Sequence, residues 1–95
     1  MNNLEYKDLV INQDNKLCTI NKEEVSLTKK EYELLTFFLE NPNKVHSREE
    51  LTSLWSDTMG DRSIDVMISR LRKKLGDYGK YIVTRAGFGY TFNKE

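Results

Sequence analysis

The segment RSIDVMISRLRKKL, at residues 62–75, decides how the rest of this chain is interpreted. At 100° per residue its apolar side chains recur on one side of a helix, which is the pattern of a buried stripe. The opposite side is basic and polar and carries one β-branched apolar residue, so the segment predicts an amphipathic helix. The buried side comprises Ile64, Ile68, Leu71 and Leu75, with Met67 at its margin, and the exposed side comprises Arg62, Val66, Ser69, Arg70 and Lys73.

The exposed side of this helix has the chemistry of a surface that reads DNA. Arginines reach guanine edges or phosphates, hydroxyls bond to either, and a small apolar group contacts a thymine methyl. Val66 is the most informative position, because a β-branched residue among cations adds little to helix propensity or solubility. A basic face that is merely solvated is the competing interpretation. Met67 is open to core packing or groove contact, and Asp65 is expected to pair with Arg72 or Ser69.

The charge along the chain is asymmetric although the formal net charge is zero. Residues 1–61 carry seven Lys and Arg against twelve Asp and Glu, whereas residues 62–95 carry eight against three. Phosphate binding responds to local potential rather than to the total charge. The basic C-terminal third can therefore bind DNA while the acidic remainder favours solubility.

The segments before residue 62 predict a small sheet and two helices. Short alternating runs separated by Asn-rich stretches are typical of antiparallel strands, here at residues 7–11, 17–20 and 23–27. Thr28 and Glu31 have the spacing of a capping box, which predicts a first helix over residues 29–40. Ser47 and Glu50 repeat that spacing and predict a short second helix.

The segments after residue 75 predict a hairpin. Gly76 suits a left-handed helix cap, and strands at residues 81–84 and 90–92 flank a glycine-rich turn. The expected fold is an α+β winged helix-turn-helix, with an N-terminal antiparallel sheet, a three-helix core and a C-terminal β-hairpin wing. Three residues at the wing are candidates for contact with the DNA backbone or minor groove, with simple solvation as the alternative: Thr84, Arg85 and Tyr90.

Other kinds of site find no support in the sequence. No apolar run approaches the roughly 18 residues of a membrane span, and the polar N-terminus lacks the apolar core of a signal peptide, so a cytoplasmic protein without membrane contact is expected. Cys18 and His46 are single residues of their kind, which argues against a disulfide, a metal site or a nucleophile pair. The turn at residues 87–89 lacks the following helix of a phosphate-binding loop. We expect no enzyme activity and no cofactor.

Four segments together resemble the OmpR/PhoB effector domain of bacterial two-component response regulators. They are LTKKEYELL at residues 27–35, SREEL at 47–51, the basic helix at 62–75 and GFGY at 87–90, in the family's order. The resemblance implies that residues 1–95 are one winged-helix effector domain. A longer regulator would then add an upstream receiver domain and respond to a cognate histidine kinase.

The resemblance also implies a partner and a set of contact residues. The family binds double-stranded DNA as head-to-tail pairs on tandem direct repeats, with the third helix in successive major grooves. Carried over by motif position, the residues that face DNA are Arg62, Ser63, Val66, Met67, Ser69, Arg70 and Arg72, to which the helical pattern adds Lys73.

This chain departs from the family pattern in the wing and in one loop. Ala86 stands where the minor-groove arginine is usual, and Arg85 precedes it by one residue. Side chains alternate along a strand, so Arg85 can replace that arginine only if the hairpin twists or bulges. The loop at residues 56–61 is shorter than in typical members, where it contacts RNA polymerase, so polymerase contact is an open expectation.

A winged-helix protein-interaction module is the alternative class of function. An acidic face on the first two helices, or the basic face of the third, would then bind a protein. A steep loss of DNA binding with salt distinguishes the two classes, because only a phosphate-binding surface releases counterions. The acidic face comprises Glu31, Glu33, Glu40, Glu49 and Glu50.

Overall fold

The structure, a computed structural model, comprises an N-terminal sheet, three helices and a C-terminal hairpin. It describes residues 3–55 and 61–94, apart from the side chains of residues 61–63. The predicted α+β winged-helix architecture is confirmed. The strands are β1 (Asn3–Tyr6), β2 (Leu9–Asn12), β3 (Leu17–Ile20), β4 (Glu23–Val25), β5 (Ile82–Arg85) and β6 (Gly89–Phe92); the helices are α1 (Lys29–Glu40), α2 (Arg48–Thr52) and α3 (Asp61–Leu75), and a 3-10 helix (Gly76–Tyr81) follows α3.

The N-terminal sheet has one strand more than the sequence pattern predicts. Strands β1 to β4 follow one another in an antiparallel meander. The strand expected at residues 7–11 is corrected to β2, because Lys7 and Asp8 form the turn after β1 and Lys7 has a φ of 56°. β1 was missed because its alternation of polar and apolar residues spans only four residues. Its one fully buried side chain, Tyr6, is held by residues at the far end of the chain.

Local capping explains where the first two helices begin. The Thr28 hydroxyl accepts from the Glu31 amide at 3.2 Å, and the Glu31 carboxylate accepts from the Thr28 amide at 2.9 Å, so the predicted capping box is confirmed. At α2 the Ser47 hydroxyl accepts from the Glu50 amide at 3.0 Å. The Glu50 carboxylate lies instead 2.8 Å from Nδ1 of His46, so the second box is only half formed.

The C-terminal hairpin begins later than predicted because a 3-10 helix intervenes. Gly76 has a φ of 60°, which confirms the left-handed cap expected after α3. Tyr81 belongs to the 3-10 helix, and β5 extends to Arg85. The hairpin register is regular, with Ile82 opposite Phe92 and Arg85 opposite Gly89.

The loop between α1 and α2 braces the other edge of β6. The His46 amide donates to the Tyr90 carbonyl at 2.8 Å, and the Tyr90 amide donates to the His46 carbonyl at 2.9 Å. Gly89 has a φ of 136°, and a Cβ there would collide with the His46 backbone. β6 is therefore hydrogen-bonded on both edges, which fixes the base of the wing against the helical core.

An aromatic cluster joins the N-terminal sheet to the hairpin. The Tyr6 ring lies edge-on to the rings of Tyr81 and Phe92, with centroids 5.0 and 5.7 Å away. Lys7 Nζ donates to the Tyr81 hydroxyl at 2.9 Å. Edge-to-face pairs of this kind add stability beyond the area they bury. The sheet thus packs against the base of the wing, away from its tip.

Candidate nucleic-acid interface

Helix α3 separates its side chains as the sequence pattern predicts. Its apolar stripe is fully buried, and its opposite side is open to solvent. Val66 is 46% exposed, a large apolar side chain in water beside cations. We call the described exposed residues of this side the reading face: Val66, Ser69, Arg70 and Lys73.

Met67 does not belong to the reading face. Its side chain is only 7% exposed and lies within the hydrophobic core cluster. The intermediate helical angle left both interpretations open, and the flexible thioether chain turns inward to fill the core, as methionine commonly does. The assignment of Met67 as a residue that faces DNA is therefore corrected to core packing.

Two of the predicted DNA-facing residues lie at the start of α3. The backbone of Arg62 and Ser63 is helical, but their side chains lie outside the described residues. Their contact with DNA stays a prediction. The loop at residues 56–60, proposed to meet RNA polymerase, also lies outside the described part of the chain.

Arg72 points to the wing rather than to open solvent. Its Nε and Nη2 donate to the Ile82 carbonyl at 2.9 and 2.7 Å, and Nη2 also donates to the Thr84 hydroxyl at 2.9 Å. Its guanidinium carbon lies 5.8 Å from the centroid of the Tyr90 ring. Three of its five N–H donors are engaged within the protein, and the contact of Arg72 with DNA stays a prediction.

Asp65 joins α3 to α2 and to the wing. One carboxylate oxygen accepts from Arg48 Nε at 3.0 Å and from the Tyr90 hydroxyl at 2.5 Å. Hydrogen bonds from Tyr90 and Arg48 lower the pKa of Asp65, so its carboxylate is ionised and accepts hydrogen bonds at neutral pH. The partners expected from helical spacing, Arg72 and Ser69, are not the ones it binds. Arg48, which the sequence alone did not indicate as a site residue, therefore lies beside α3.

Tyr90 is a structural residue of the wing. Its side chain is 6% exposed and its hydroxyl is engaged by Asp65, so the expectation of contact with DNA is corrected. Burial, followed by the hydrogen bond to the carboxylate, raises the pKa of Tyr90. The sequence places Tyr90 near the tip, but the strand alternation turns it toward the core.

The wing tip is small, basic and partly apolar. Thr84 and Arg85 are exposed, as the sequence analysis expects. Arg85 pairs with Gly89 in the regular register, so the bulge that would bring it to the position of Ala86 is not formed. The Phe88 side chain is 76% exposed at the tip. Sequence reasoning missed Phe88, although an aromatic residue between two turn glycines is a readable signal of an exposed ring.

Three of the five glutamates in the acidic face proposed for a protein partner contact other side chains of the domain. Glu31 is 2% exposed, and Lys74 Nζ donates to it at 2.6 Å. Burial alone would raise the pKa of Glu31, but hydrogen bonds from Lys74 and Thr28 outweigh burial and lower it. Glu33 accepts from the indole of Trp55 at 2.7 Å, and Glu50 contacts His46. Glu40 on α1 and the adjacent Glu49 and Glu50 on α2 remain exposed, and Glu50 is the one of these three that contacts His46.

Within residues 3–55 and 61–94, no group of three His, Cys, Asp or Glu side chains is placed to hold a metal ion. No helix in the same described ranges is both long and apolar enough to cross a membrane.

Comparisons with known proteins agree with this architecture. Residues 22–92 match the family model described as the C-terminal part of transcriptional regulatory proteins. Transcriptional regulatory protein ResD of Bacillus subtilis is 43% identical over 98 residues, an alignment that covers 96% of this chain and 41% of ResD. The chain thus spans about two-fifths of the length of the curated relatives it matches.

Solved structures show the same fold. The DNA-binding domain of Klebsiella pneumoniae RstA, in complex with the RstA box, superposes with a TM-score of 0.87 at 30% identity, and the match covers 98% of each chain. Response regulator DrrB of Thermotoga maritima, an OmpR/PhoB homologue, gives a TM-score of 0.87 at 35% identity over 96% of this chain and 44% of DrrB.

Proposed function

The chain belongs to the family of C-terminal domains of transcriptional regulatory proteins, with the OmpR/PhoB winged-helix fold, and from this premise we propose that it binds specific sequences in double-stranded DNA. The observation that carries the proposal is the reading face of α3, where Arg70, Ser69 and Lys73 surround the exposed Val66. This combination offers charge for phosphates, hydrogen bonds for base edges and one apolar contact for a thymine methyl.

We assign different roles within the reading face. Arg70 lies near its centre and has the planar donor pattern that binds guanine O6 and N7 together. Lys73, in the last turn of α3, is suited to a phosphate. Thr84 and Arg85 approach the backbone or minor groove, and Arg62 and Ser63 extend the contact along the first turn of α3.

We place this domain in a two-component transcription regulator. The curated relatives are more than twice as long as the matched region, which supports an upstream receiver domain and a cognate histidine kinase in the whole protein. Binding as head-to-tail pairs on tandem direct repeats, with α3 in successive major grooves, is part of this proposal. Contact of residues 56–61 with RNA polymerase, cytoplasmic action, and the lack of a cofactor and of enzyme activity belong to the same proposal.

The protein-interaction module is the weaker candidate. Its acidic surface requires free carboxylates, yet Glu31, Glu33 and Glu50 are engaged by Lys74, Trp55 and His46. The basic reading face has no competing internal partner of that kind at its described cations, Arg70 and Lys73. The charge distribution therefore favours a polyanion as the ligand.

A salt titration tests the proposal. Fluorescence anisotropy of a labelled duplex is measured for wild type, Lys73→Ala and the charge-matched control Lys29→Ala, whose lysine is exposed at the start of α1. Each lost phosphate contact lowers the log–log salt slope by about 0.9. We expect that change for Lys73→Ala and none for Lys29→Ala. A wild-type affinity that is insensitive to salt, or equal losses in both variants, would overturn DNA binding by α3.

A further inference from the structure

We propose that Arg72 is a positioning residue for the wing and not a ligand of the DNA backbone. It fixes the angle between α3 and the hairpin, so that the wing reaches DNA at a set distance from the reading face. The inference rests on the proposed function for its effect on DNA binding. Its structural half, the fixing of the wing, stands on the contacts of the free domain.

The first observation is how Arg72 meets β5. Two nitrogens of one guanidinium converge on the Ile82 carbonyl at 2.9 and 2.7 Å, and one of them also reaches the Thr84 hydroxyl at 2.9 Å. The guanidinium is planar and rigid, so these bonds fix direction as well as distance. A lysine has a single charged nitrogen on a flexible stem and cannot reproduce this fork. The contacts with β5 therefore require the planar shape of the Arg72 guanidinium as well as its charge.

The backbone of Arg72 is enclosed as well. Gly79, in the 3-10 helix that leads into β5, lies so close that a Cβ on it would come 2.9 Å from the Arg72 Cα. The main chain and the side chain of Arg72 therefore both contact the segment that carries the wing. Its charged group also lies within 5.8 Å of the Tyr90 ring, which belongs to the second wing strand. Arg72 thus touches both strands of the hairpin.

A second side-chain link joins the wing to α3. Tyr90 on β6 donates to Asp65 on α3, and Arg48 on α2 donates to the same carboxylate oxygen. Asp65 and Arg72 are seven residues apart, which is two turns on one side of a helix and a separation of about 10 Å along its axis. The His46–Tyr90 backbone pair fixes the base of β6. The links of Asp65 to β6 and of Arg72 to β5 add a contact from α3 to each strand, and together they set the angle of the hairpin relative to α3.

Arg72 also orients a hydroxyl at the wing. Thr84 is exposed, and its oxygen accepts a hydrogen bond from Arg72. A hydroxyl that accepts in this way keeps its own hydrogen for another acceptor. A phosphate oxygen is the acceptor that DNA supplies at this surface. Arg72 therefore prepares Thr84 to donate to the backbone.

The test is a double-mutant cycle on DNA affinity, in which Arg72→Lys keeps the charge and removes the fork. It is measured in the wild-type background and in a wing-disabled background that carries Thr84→Val and Arg85→Ala. We expect Arg72→Lys to weaken binding about tenfold in the first background, the loss typical of one well-made contact, and less than about twofold in the second. Lys73→Ala is the control, and as a direct contact it should lose the same factor in both.

A phosphate ligand would behave differently. If Arg72→Lys bound DNA as tightly as wild type, or weakened binding by the same factor in both backgrounds, the positioning role would be overturned. Amide hydrogen exchange in the DNA-free domain gives an independent readout: Arg72→Lys should accelerate exchange in β5 and β6 and leave α1 unchanged. Unchanged exchange in the wing would also overturn it. If wild type bound no duplex, the proposed function would fail, and exchange alone would still decide whether Arg72 fixes the wing.

Discussion

Glu31 offers the sharpest test of how the described contacts stabilise the fold. Its carboxylate is buried at the start of α1 and accepts from Lys74 Nζ at 2.6 Å and from the Thr28 amide at 2.9 Å. Lys74 belongs to α3, so the pair ties the capping box of one helix to the last turn of the other. Glu31→Gln keeps the size and an acceptor oxygen but removes the charge.

The magnitude follows from the two bonds that lose their charged acceptor. A hydrogen bond to a charged group contributes about 1 kcal/mol more than a neutral one, so two bonds set an upper value of about 2 kcal/mol. The Lys74 side chain is 37% exposed, so water compensates part of its loss. We expect a decrease of about 1.5 kcal/mol in the free energy of unfolding, or roughly 6 to 12 °C in Tm for a domain of this size.

The stability difference between wild type and Glu31→Gln should depend on pH. The folded state holds the pKa of Glu31 below its ordinary value of 4.5. The stabilisation by the carboxylate is therefore complete above pH 4.5 and is lost as pH falls through the lower pKa of the folded state. The difference between wild type and Glu31→Gln should be full at pH 7 and shrink in acid, because a protonated carboxyl resembles the amide.

Urea denaturation followed by circular dichroism measures this difference at pH 7 and again at successively lower pH. Glu40→Gln is the matched control, an exposed glutamate on the same helix, and should change stability by less than about 0.5 kcal/mol. A Glu31→Gln effect within that same limit at pH 7 would contradict a stabilising role for the charge of Glu31. So would a difference that persists undiminished after the carboxyl has been protonated.

Three further predictions concern other buried positions. Cys18 is 3% exposed and burial raises its pKa to about 11, so a thiol reagent at pH 8 should label it only as fast as the protein unfolds; rapid labelling of native protein would contradict this. Gly89→Ala should destabilise the domain by about 1–3 kcal/mol in urea, because of its φ of 136° and the collision with His46, and a neutral result would disprove the packing described there. Phe92→Ala should cost about 3–5 kcal/mol, since its fully buried ring joins the sheet to the hairpin, and a loss below about 1 kcal/mol would mean that the ring is not packed as described.

The features that sequence predicts well are those set by neighbours along the chain. The start of α1 follows from Thr28 and Glu31, which satisfy each other's backbone amides three residues apart. The left-handed Gly76 and the apolar stripe of α3 are equally local, since a cap and a helical period need only a few consecutive residues. These elements suffice to define the fold class.

The features that were missed depend on contacts distant in sequence. Strand β1 is stabilised by Tyr6 packing on residues more than 70 positions away, which no local pattern reports. Asp65 was given helical neighbours as partners, but Arg48 and Tyr90 reach it from other elements. Met67 and Tyr90 turn inward because the core offers them space, and helical angle or strand position alone cannot show that space.

The sequence predicts which surface of α3 is exposed at the candidate site, but it predicts the roles of the individual residues less well. Exposure of Val66, Ser69, Arg70 and Lys73 follows from helical period alone. The role of Arg72 does not, because an arginine on the shoulder of α3 serves a phosphate or a neighbouring strand equally well. Only the fold, which brings β5 within reach, distinguishes these uses.

Selection of bound sequences from a pool of random duplexes tests the central claim most directly, with wild type, Arg70→Ala and the control Lys29→Ala run in parallel. We expect wild type and Lys29→Ala to enrich the same direct repeat, with half-sites about 10 to 11 base pairs apart, and Arg70→Ala to lose preference at one or two positions within each half-site. No enriched sequence for wild type, or an identical motif for Arg70→Ala, would contradict the claim that α3 reads DNA.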